Sequence, residues 1–300
     1  QQGANFATKI WNAFRLVKNW ESSTETEQPE HSRLALEWFH HKLNEVNITL
    51  NDHFEKFRIS DALMLVYTTF RDEFSGWLLE IVKPAWQQPI DAVTLSDVIS
   101  LFDKLLRMMH PFMPFITEEI WQLLGKREAG ESIMVAQMPV EEPFDASILE
   151  AFENMKEAVT GIRKIRLDNG ISPREAFGLW IQPGDKGYEP RLGSIIVRLG
   201  NLSSSGTVAG EVKGALSFRV KSTSFFIPLE EHANSEEELK KLEDELAYTR
   251  GFLKSVLQKL GNEKFVNGAP AAVVEKERTK QTDAETKIKI LEERISAMKG

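Results

Sequence analysis

Two stripes of apolar residues, spaced three and four positions apart, constrain the end of this chain more than any other feature. The first stripe lies on one side of a helix that starts at Ser235, and its members are Leu239, Leu242, Leu246, Leu253, Val256 and Leu260. The second stripe follows a break at 261–262 and consists of Val274, Ala284, Ile288, Leu291, Ile295 and Met298. Polar residues interrupt the two stripes at Thr249, Glu277 and Gln281. Such spacing is typical of helices that pair along one seam.

The two stripes fit one register if the chain folds back near Asn267. Antiparallel pairing then sets apolar residues opposite one another along the seam, from Leu260 beside Val274 to Leu239 beside Ile295. A single register that holds over this length is typical of a coiled coil. The sequence therefore predicts an antiparallel coiled-coil hairpin over 235–300, which we expect to project as an arm from a body.

The composition excludes several classes of protein. The 300 residues contain no cysteine, which excludes a disulfide scaffold and a zinc site built from thiolates. No apolar run approaches the roughly 20 residues that span a bilayer, and no charged-then-apolar leader opens the chain. We therefore expect a cytoplasmic protein that does not enter a membrane. The formal net charge of -8 excludes a globally basic nucleic-acid binder, so any such contact must come from local patches or from stacking.

The first part of the chain reads as an all-helical bundle. Its first helix begins almost at residue 1, as expected of a piece of a longer protein. Further helical patterns cover 31–50, 54–82 and 94–109. Pro111 and Pro114 then turn the chain into a short helix that we expect Thr117 to cap.

The pattern changes after residue 144. A long helix over 147–167 leads into a turn at Asn169-Gly170 and Pro173. Short alternating segments then predict four strands, at 177–181, 206–209, 215–220 and 224–228. A small helix is predicted between the first two strands, at 191–199. The fold class is therefore mainly α, and its predicted parts are a helical bundle over 1–144, a small α/β subdomain over 145–230 and the coiled-coil arm over 235–300.

Four sequence motifs carry a family resemblance. NFATKIWNAFRLV, MHPFMPFITEEIWQ and LDNGISPREAF resemble three parts of one region of the class I aminoacyl-tRNA synthetases specific for valine, isoleucine and leucine. These parts are the opening helix and a later helix junction of the anticodon-binding domain, and the start of the α/β subdomain. FVNGAPAAVVEKER, between the two heptad helices, resembles the tip of the C-terminal coiled-coil arm of valyl-tRNA synthetases.

The resemblance implies the C-terminal part of a bacterial valyl-tRNA synthetase. Isoleucine enzymes tend to end in cysteine-bearing zinc modules, and this chain has no cysteine. Two alternatives stay open, which are the same region of an isoleucyl- or leucyl-tRNA synthetase and a non-enzymatic coiled-coil scaffold protein. A binding test with valine tRNA against a non-cognate tRNA separates the scaffold from the synthetase.

The resemblance also implies that this fragment has no catalytic centre. The HIGH-type and KMSKS-type sequences that bind ATP in the family do not occur here, and neither does a glycine-rich phosphate loop. The stretch 220–224 is superficially similar to KMSKS, but it lacks the final lysine and has a strand pattern. Valine attachment with ATP, and editing, are then expected in N-terminal domains outside this sequence. The implied partners are tRNA-Val and those domains, and we expect a monomer without a cofactor or metal in this fragment.

The resemblance and the residue types together indicate an anticodon site on the first helix. A single-stranded anticodon needs a cation for its phosphate, an apolar surface for an unstacked base and donors for the base edge. The family places such contacts on this helix and on the long helix that follows. The expected residues are Lys9, Asn12, Arg15, Leu16, Trp77 and Leu78. The alternative is that the aromatic residues are core and the cations are simply solvated.

The resemblance assigns a second contact to the tip of the arm. Phe265, Ala269, Pro270 and Val273 are apolar where an exposed turn is usually polar. In the family this tip resembles a surface that packs on the outer corner of tRNA, where base stacking supplies affinity without much charge. The alternative is that these residues simply close the hairpin.

Two further groups of residues favour structural roles. A basic cluster, Arg163, Lys164, Arg166 and Arg174, offers contacts to an RNA backbone, but cations near a helix C-terminus also offset the helix dipole. We favour the second interpretation. His40 and His41 are adjacent on a helix and therefore point in different directions, which argues against metal binding. His110 is expected to be a structural partner at the helix junction.

Overall fold

The computed structural model describes residues 2–228, 235–262 and 271–299 of the chain. It divides into two compact units, with the boundary between Ile227 and Pro228. Each unit is described by itself. Within the described residues, no helix combines the length and the apolar character that crossing a bilayer requires.

Seven α-helices make up most of the first unit. They are α1 (Gln2–Lys18), α2 (Glu30–Glu55), α3 (Ile59–Thr68), α4 (Leu79–Val82), α5 (Ala92–Met109), α6 (Pro114–Leu124) and α7 (Ala146–Asp168). Aromatic rings fill the centre of the bundle, because helical spacing brings them to one side of each helix. The ring of Phe74 packs 4.9 Å from Phe102 and 5.6 Å from Phe39. Trp38 stacks on Phe152 at 4.1 Å and so joins α2 to α7.

The predicted helix over 54–82 is interrupted in two ways. α2 continues to Glu55, and Phe57 then takes the left-handed backbone conformation, with φ 57°, before α3 begins at Ile59. Between α3 and α4 the chain forms a π-helical turn, Thr69–Leu78, whose turns are wider than those of an α-helix. Residues on this turn therefore face directions that α-helical spacing does not predict.

The junction between α5 and α6 corrects one expectation and confirms another. Met113, and not Thr117, is the N-cap of α6, and Pro114 occupies its first position. Thr117 is buried inside the helix, and its hydroxyl donates to the carbonyl of Met113 at 2.8 Å. The prediction that Thr117 caps the helix is therefore wrong. The ring of His110 lies 2.7 Å from the same hydroxyl, which confirms its structural role.

Two short strands tie the loop after α1 to the start of α5. β1 (Ser22–Ser23) pairs in parallel with β2 (Ile90–Asp91). Asp91 then caps α5, because its carboxylate accepts from the backbone N–H of Thr94 at 2.7 Å. This arrangement fixes the direction in which α5 enters the bundle.

A four-stranded sheet follows α7. Its elements are β3 (Phe177–Gln182), α8 (Gly193–Gly200), β4 (Leu202–Thr207), β5 (Ala215–Val220) and β6 (Thr223–Pro228), in the strand order β4-β3-β6-β5. β3 is parallel to β4 and antiparallel to β6. The strand predicted over 206–209 was misplaced, because β4 lies at Leu202–Thr207 and shares only two residues with the predicted range. One continuous core runs through the helices and the sheet, so the boundary at 144 falls inside a compact unit and stays a prediction.

Two long helices, α9 (Ser235–Leu260) and α10 (Ala271–Lys299), form the second unit. Ion pairs join Glu245 to Lys287 at 2.7 Å and Lys259 to Glu277 at 3.8 Å. The earlier residue of α9 pairs with the later residue of α10, so the two helices are antiparallel. Buried seam residues recur every seven positions, at Leu242, Thr249 and Val256 on α9 and at Glu277, Ala284 and Leu291 on α10. Together with the first unit, this confirms the mainly α fold class.

Candidate nucleic-acid interface

The first helix has one buried side and one exposed side. Its apolar residues Phe6, Ile10, Phe14 and Val17 belong to the core of the bundle. The predicted contact residues Lys9, Asn12, Arg15 and Leu16 are all exposed. Phe14 is therefore a core residue, as the structural interpretation held, and Trp11 is half-buried against it with ring centroids 5.4 Å apart.

A shallow groove of about 440 Å³ lies between α1 and the segment formed by the π-helical turn and α4. Lys9, Asn12 and Leu16 line it from α1, and Ser75 and Leu79 line it from the other side. The structure thus brings three of the predicted residues to one concave surface. Arg15 is exposed but does not belong to the lining.

The groove combines the chemical groups that an unstacked nucleotide needs. Lys9 supplies a cation, Asn12 an amide with both donor and acceptor atoms, and Leu16, which is 42% exposed, an apolar surface. The hydroxyl of Ser75 is buried in the groove wall without a hydrogen-bond partner among the described residues. Buried polar groups without a partner are uncommon in folded proteins, so this hydroxyl needs an explanation.

The carboxylate of Asp72 already has a partner other than Lys9. Arg71 donates two hydrogen bonds of 2.6 Å to Asp72, and its guanidinium lies 5.0 Å from the ring centroid of Tyr67. These hydrogen bonds hold the pKa of the Asp72 carboxyl below its usual range, and the charge of Lys9 adds to the effect. Asp72 therefore does not need Lys9 as an ion-pair partner.

Trp77 and Leu78 occupy different positions from those expected. Leu78 is 0% exposed, so its side chain is part of the core and cannot touch a ligand. Trp77 is half-buried and does not line the groove. Its ring lies beside α7 instead, 5.7 Å from the guanidinium of Arg163 and 5.9 Å from the ammonium of Lys156.

The basic cluster at the end of α7 is partly structural. Arg166 is buried, and its guanidinium donates to the carbonyls of Ser172 at 2.9 Å, Glu175 at 2.7 Å, Gly200 at 2.7 Å and Asn201 at 3.0 Å. This confirms the structural interpretation for Arg166. Arg163 pairs with Glu80 at 2.6 Å, whereas Lys164 and Arg174 are exposed.

The remaining predicted residues lie on the arm. Val273 is exposed at the start of α10. Phe265, Ala269 and Pro270 lie outside the described residues. The structure adds Tyr248 and Phe252, two exposed aromatic residues one turn apart on α9 that the stripe pattern did not single out.

Sequence reasoning missed Ser75 and Leu79 as part of the groove. No local signal identifies them, because they reach α1 through tertiary packing and through the π-helical turn. Across the part of the chain that the structure describes, no three histidine or acidic side chains gather where they could hold a metal ion. His41 instead accepts a hydrogen bond from the backbone N–H of Asp145 at 3.2 Å.

Two parts of the chain match families of known proteins. Residues 37–179 match the anticodon-binding domain of tRNA ligase. Residues 234–299 match the valyl tRNA synthetase tRNA binding arm.

Whole-chain relatives have the same name in several organisms. The valine–tRNA ligase of Parabacteroides distasonis is 50% identical over 298 residues, which are 99% of this chain and 34% of that protein. The valine–tRNA ligase of Phocaeicola vulgatus is 49% identical over 301 residues, covering 100% of this chain and 34% of the relative. The valine–tRNA ligase of Fusobacterium nucleatum is 33% identical over 313 residues, which cover 98% of this chain and 35% of that protein. The chain thus spans about a third of the length of the curated relatives it matches.

Proposed function

Because the chain belongs to the valine–tRNA ligase family, as its motifs predicted, we propose that it holds valine tRNA while other domains of the enzyme attach valine. The first unit receives the anticodon in the groove on α1, and the arm contacts the outer corner of the tRNA. Valine attachment with ATP, and editing, belong to domains outside this sequence. The enzyme acts as a monomer in the cytoplasm.

The groove on α1 is the observation that supports this function most directly. It places Lys9, Asn12 and Leu16 on one concave surface, although residues of these types on a helix are usually just solvated. In the proposed complex Lys9 contacts a phosphate, Asn12 contacts a base edge and Leu16 packs against a base. Arg15, next to the groove, contacts a second phosphate. These contacts are local, which is consistent with a net charge of -8 for the whole chain.

The arm supplies the second part of the proposed interface. Val273, with Phe265, Ala269 and Pro270, packs on the stacked bases at the tRNA corner, where stacking contributes about 1–3 kcal/mol per base. The match of residues 234–299 to a tRNA binding arm supports this assignment. The names of the relatives favour valine over isoleucine or leucine, and the two family matches argue against a general scaffold protein.

A binding titration tests the proposal. We expect the 300-residue chain to bind a valine tRNA transcript more tightly than a non-cognate tRNA at one stated salt concentration. Lys9→Gln should weaken binding of valine tRNA about tenfold, because it removes a phosphate contact. Lys126→Gln is the matched control, since Lys126 is exposed and lies outside the groove. Removing residues 235–300 should also weaken binding, while the first unit stays folded because it has its own core.

Two outcomes would contradict the proposal. Equal affinity for valine and non-cognate tRNA would support a scaffold without tRNA preference. Unchanged affinity of the Lys9→Gln variant would remove the groove from the interface even if the arm deletion weakens binding. In the complete enzyme, Lys9→Ala should raise KM for tRNA and leave valyl-adenylate formation unchanged, which separates a binding defect from a catalytic one.

A further inference from the structure

A second concave surface adjoins α4, as the groove does. This cavity has a volume of about 640 Å³, and its walls are the end of α7, the turn at 170–173, the end of α8 and Glu80 of α4. Leu79 lines the groove on α1, whereas its neighbour Glu80 lines the cavity. The two concave surfaces therefore adjoin the same short helix.

Hydrogen bonds fix the shape of the cavity. Arg166, one of the lining residues, donates from its guanidinium both to the carbonyl of Ser172 in the turn and to the carbonyl of Gly200 at the end of α8. Asn201 adds a bond of 3.0 Å from its amide to the carbonyl of Pro173. The two walls are thus cross-linked, so the cavity is preformed and a ligand does not need to order it.

The lining is apolar, and cationic groups stand at its rim. Leu167 lines the cavity and is 81% exposed, so its side chain is accessible to a ligand. Arg163 also lines it, and its side chain is 44% exposed although it pairs with Glu80. Arg174, which directly follows the lining residue Pro173, is exposed and forms no ion pair with any residue that the structure describes.

We propose that this cavity is a second RNA subsite, which takes an unpaired nucleotide of the same tRNA whose anticodon occupies the groove; this rests on the proposed function. Leu167 packs against the base, and Arg163 and Arg174 contact phosphates. Because both surfaces adjoin α4, one strand that leaves the groove passes this helix to reach the cavity. The ring of Trp77, 5.7 Å from Arg163, then contributes at the edge of this subsite and not in the groove on α1.

RNA fits this surface better than a protein segment because of the arginines. An apolar partner would leave the guanidinium of Arg163 and its carboxylate partner covered, at a cost in desolvation. A phosphate instead replaces the carboxylate as the partner of the Arg163 guanidinium, which donates one hydrogen bond to Glu80. Glu80 is the one carboxylate that lines the cavity among the described residues, so it competes with the phosphate for Arg163.

This competition gives two variants opposite effects. The double variant Arg163→Gln/Arg174→Gln should bind a valine tRNA transcript about tenfold more weakly, because two phosphate contacts are lost. Glu80→Gln should bind it about two- to fivefold more tightly, because it removes the competing carboxylate. If Arg163 and Glu80 formed only a surface ion pair and did not contact RNA, neither variant would change the dissociation constant.

A salt series makes the test specific to phosphate contacts. The logarithm of the binding constant falls linearly with the logarithm of the salt concentration, by about 0.7 per phosphate contact for single strands. The double variant of the 300-residue chain should therefore lower the slope by about 1.4. The matched control is Lys126→Gln/Lys213→Gln, which removes two exposed cations that line neither concave surface. Leu167→Gln should weaken binding at least fivefold with an unchanged unfolding midpoint, since Leu167 is exposed and no charge is added.

The outcomes separate this inference from the proposed function. The second subsite would be overturned if the double variant kept the wild-type affinity and the wild-type salt dependence of binding while Lys9→Gln bound more weakly. The anticodon groove would then stay in place. Weaker binding by both Glu80→Gln and the double variant would also overturn the second subsite, because removal of either partner would then act through the fold of the first unit and not through a phosphate contact. Failure of the wild-type chain to bind any tRNA would overturn the proposed function, and the subsite with it.

Discussion

Two regions of the first unit carry the same kinds of cation in opposite circumstances. On α1 the side chains of Lys9 and Arg15 are exposed and have no hydrogen-bond or ion-pair partner within the described residues. On α7, Lys156 and Arg166 are buried. The ammonium of Lys156 contacts Glu73 at 2.5 Å and Glu153 at 2.8 Å, and the guanidinium of Arg166 donates to four backbone carbonyls.

The difference shows that residue type alone does not identify which lysine or arginine is available to bind a ligand. An arginine has five N–H donors, and Arg166 directs its two terminal nitrogens at carbonyl groups inside the chain. Its two terminal nitrogens, which carry four of those donors, are thus satisfied by carbonyls of the chain itself. Lys9 keeps its three donors free at the edge of a groove. What matters is whether acceptors of the chain itself already satisfy the cation.

The largest effect is expected from Arg166→Met. The variant leaves four carbonyls without their donor in a buried site, and we expect it to destabilise the first unit by about 3–5 kcal/mol. Arg15→Met is the matched control and should change stability by less than about 0.5 kcal/mol, because Arg15 is exposed. Urea unfolding followed by tryptophan fluorescence measures both, since all seven tryptophans lie in the first unit.

The stabilities of the Arg166→Met and Arg15→Met variants can also contradict the distinction between the two regions. If Arg15→Met destabilised the first unit as much as Arg166→Met, the cations on α1 would be structural, and the distinction between the two regions would be lost. If neither variant changed stability, the carbonyls around Arg166 would have to be satisfied by water. The conservative variant Arg166→Lys should recover part of the loss, because an ammonium reaches fewer of the four carbonyls.

His31 extends the comparison to a group that has to stay neutral. Burial lowers the pKa of its ring to about 4, and the nearby charge of Arg198 lowers it further than Asp91 raises it. The unfolded chain therefore binds a proton near pH 6.5 that the folded chain rejects. The contribution of His31 to stability is complete above pH 6.5 and is lost as the pH falls from 6.5 towards 4.

The pH dependence gives the second prediction. The wild-type chain should lose about 1 kcal/mol more stability between pH 7 and pH 5 than the His31→Gln variant, a value reduced because the ring is partly exposed to solvent. Urea unfolding at the two pH values measures the difference, and other titrating groups cancel in the comparison. Parallel curves for the two proteins would show that the ring titrates normally in the folded state.

The helices of this fold were largely predictable, and the irregular elements were not. Apolar spacing predicted α1, α7 and the arm, because in each of them one side faces a core. It did not predict the break at Phe57 or the π-helical turn, which depend on how neighbouring helices pack. β4 was misplaced because its centre, 203–205, consists of exposed serines that show no alternation. Pairing with β3 places that strand.

The groove on α1 likewise contains residues that the sequence predicted and residues that it did not. Lys9, Asn12 and Leu16 were predictable because helical spacing and the resemblance both point to one side of α1. The opposite wall of the groove, Ser75 and Leu79, was not predictable, because the wider π-helical turn sets which residues face α1. The expectation for Leu78 failed for the same reason. Periodicity identifies a helix side, but only packing shows what faces it.

Thr249 on the arm is a buried polar residue whose hydroxyl is satisfied inside the chain. Its substitution gives the smallest expected change in stability. Thr249 occupies a buried seam position, and its hydroxyl is satisfied by the carbonyl of Glu245 at 2.8 Å. Thr249→Val should stabilise the arm by about 0.5 kcal/mol, because a methyl group takes the place of the hydroxyl in the seam. Hydrogen exchange of the α9 amides should then slow near this position, where the polar residue otherwise weakens the seam.

Thr279→Val is the matched control for this change. Thr279 on α10 also bonds to a carbonyl one turn earlier, that of Glu275 at 3.0 Å, but it is exposed. The same chemical change there buries no methyl group, so we expect no slower exchange. Equal effects of the two variants would mean that helix propensity, and not burial in the seam, accounts for the gain. Uniform protection along the wild-type arm would instead show that Thr249 does not weaken its middle.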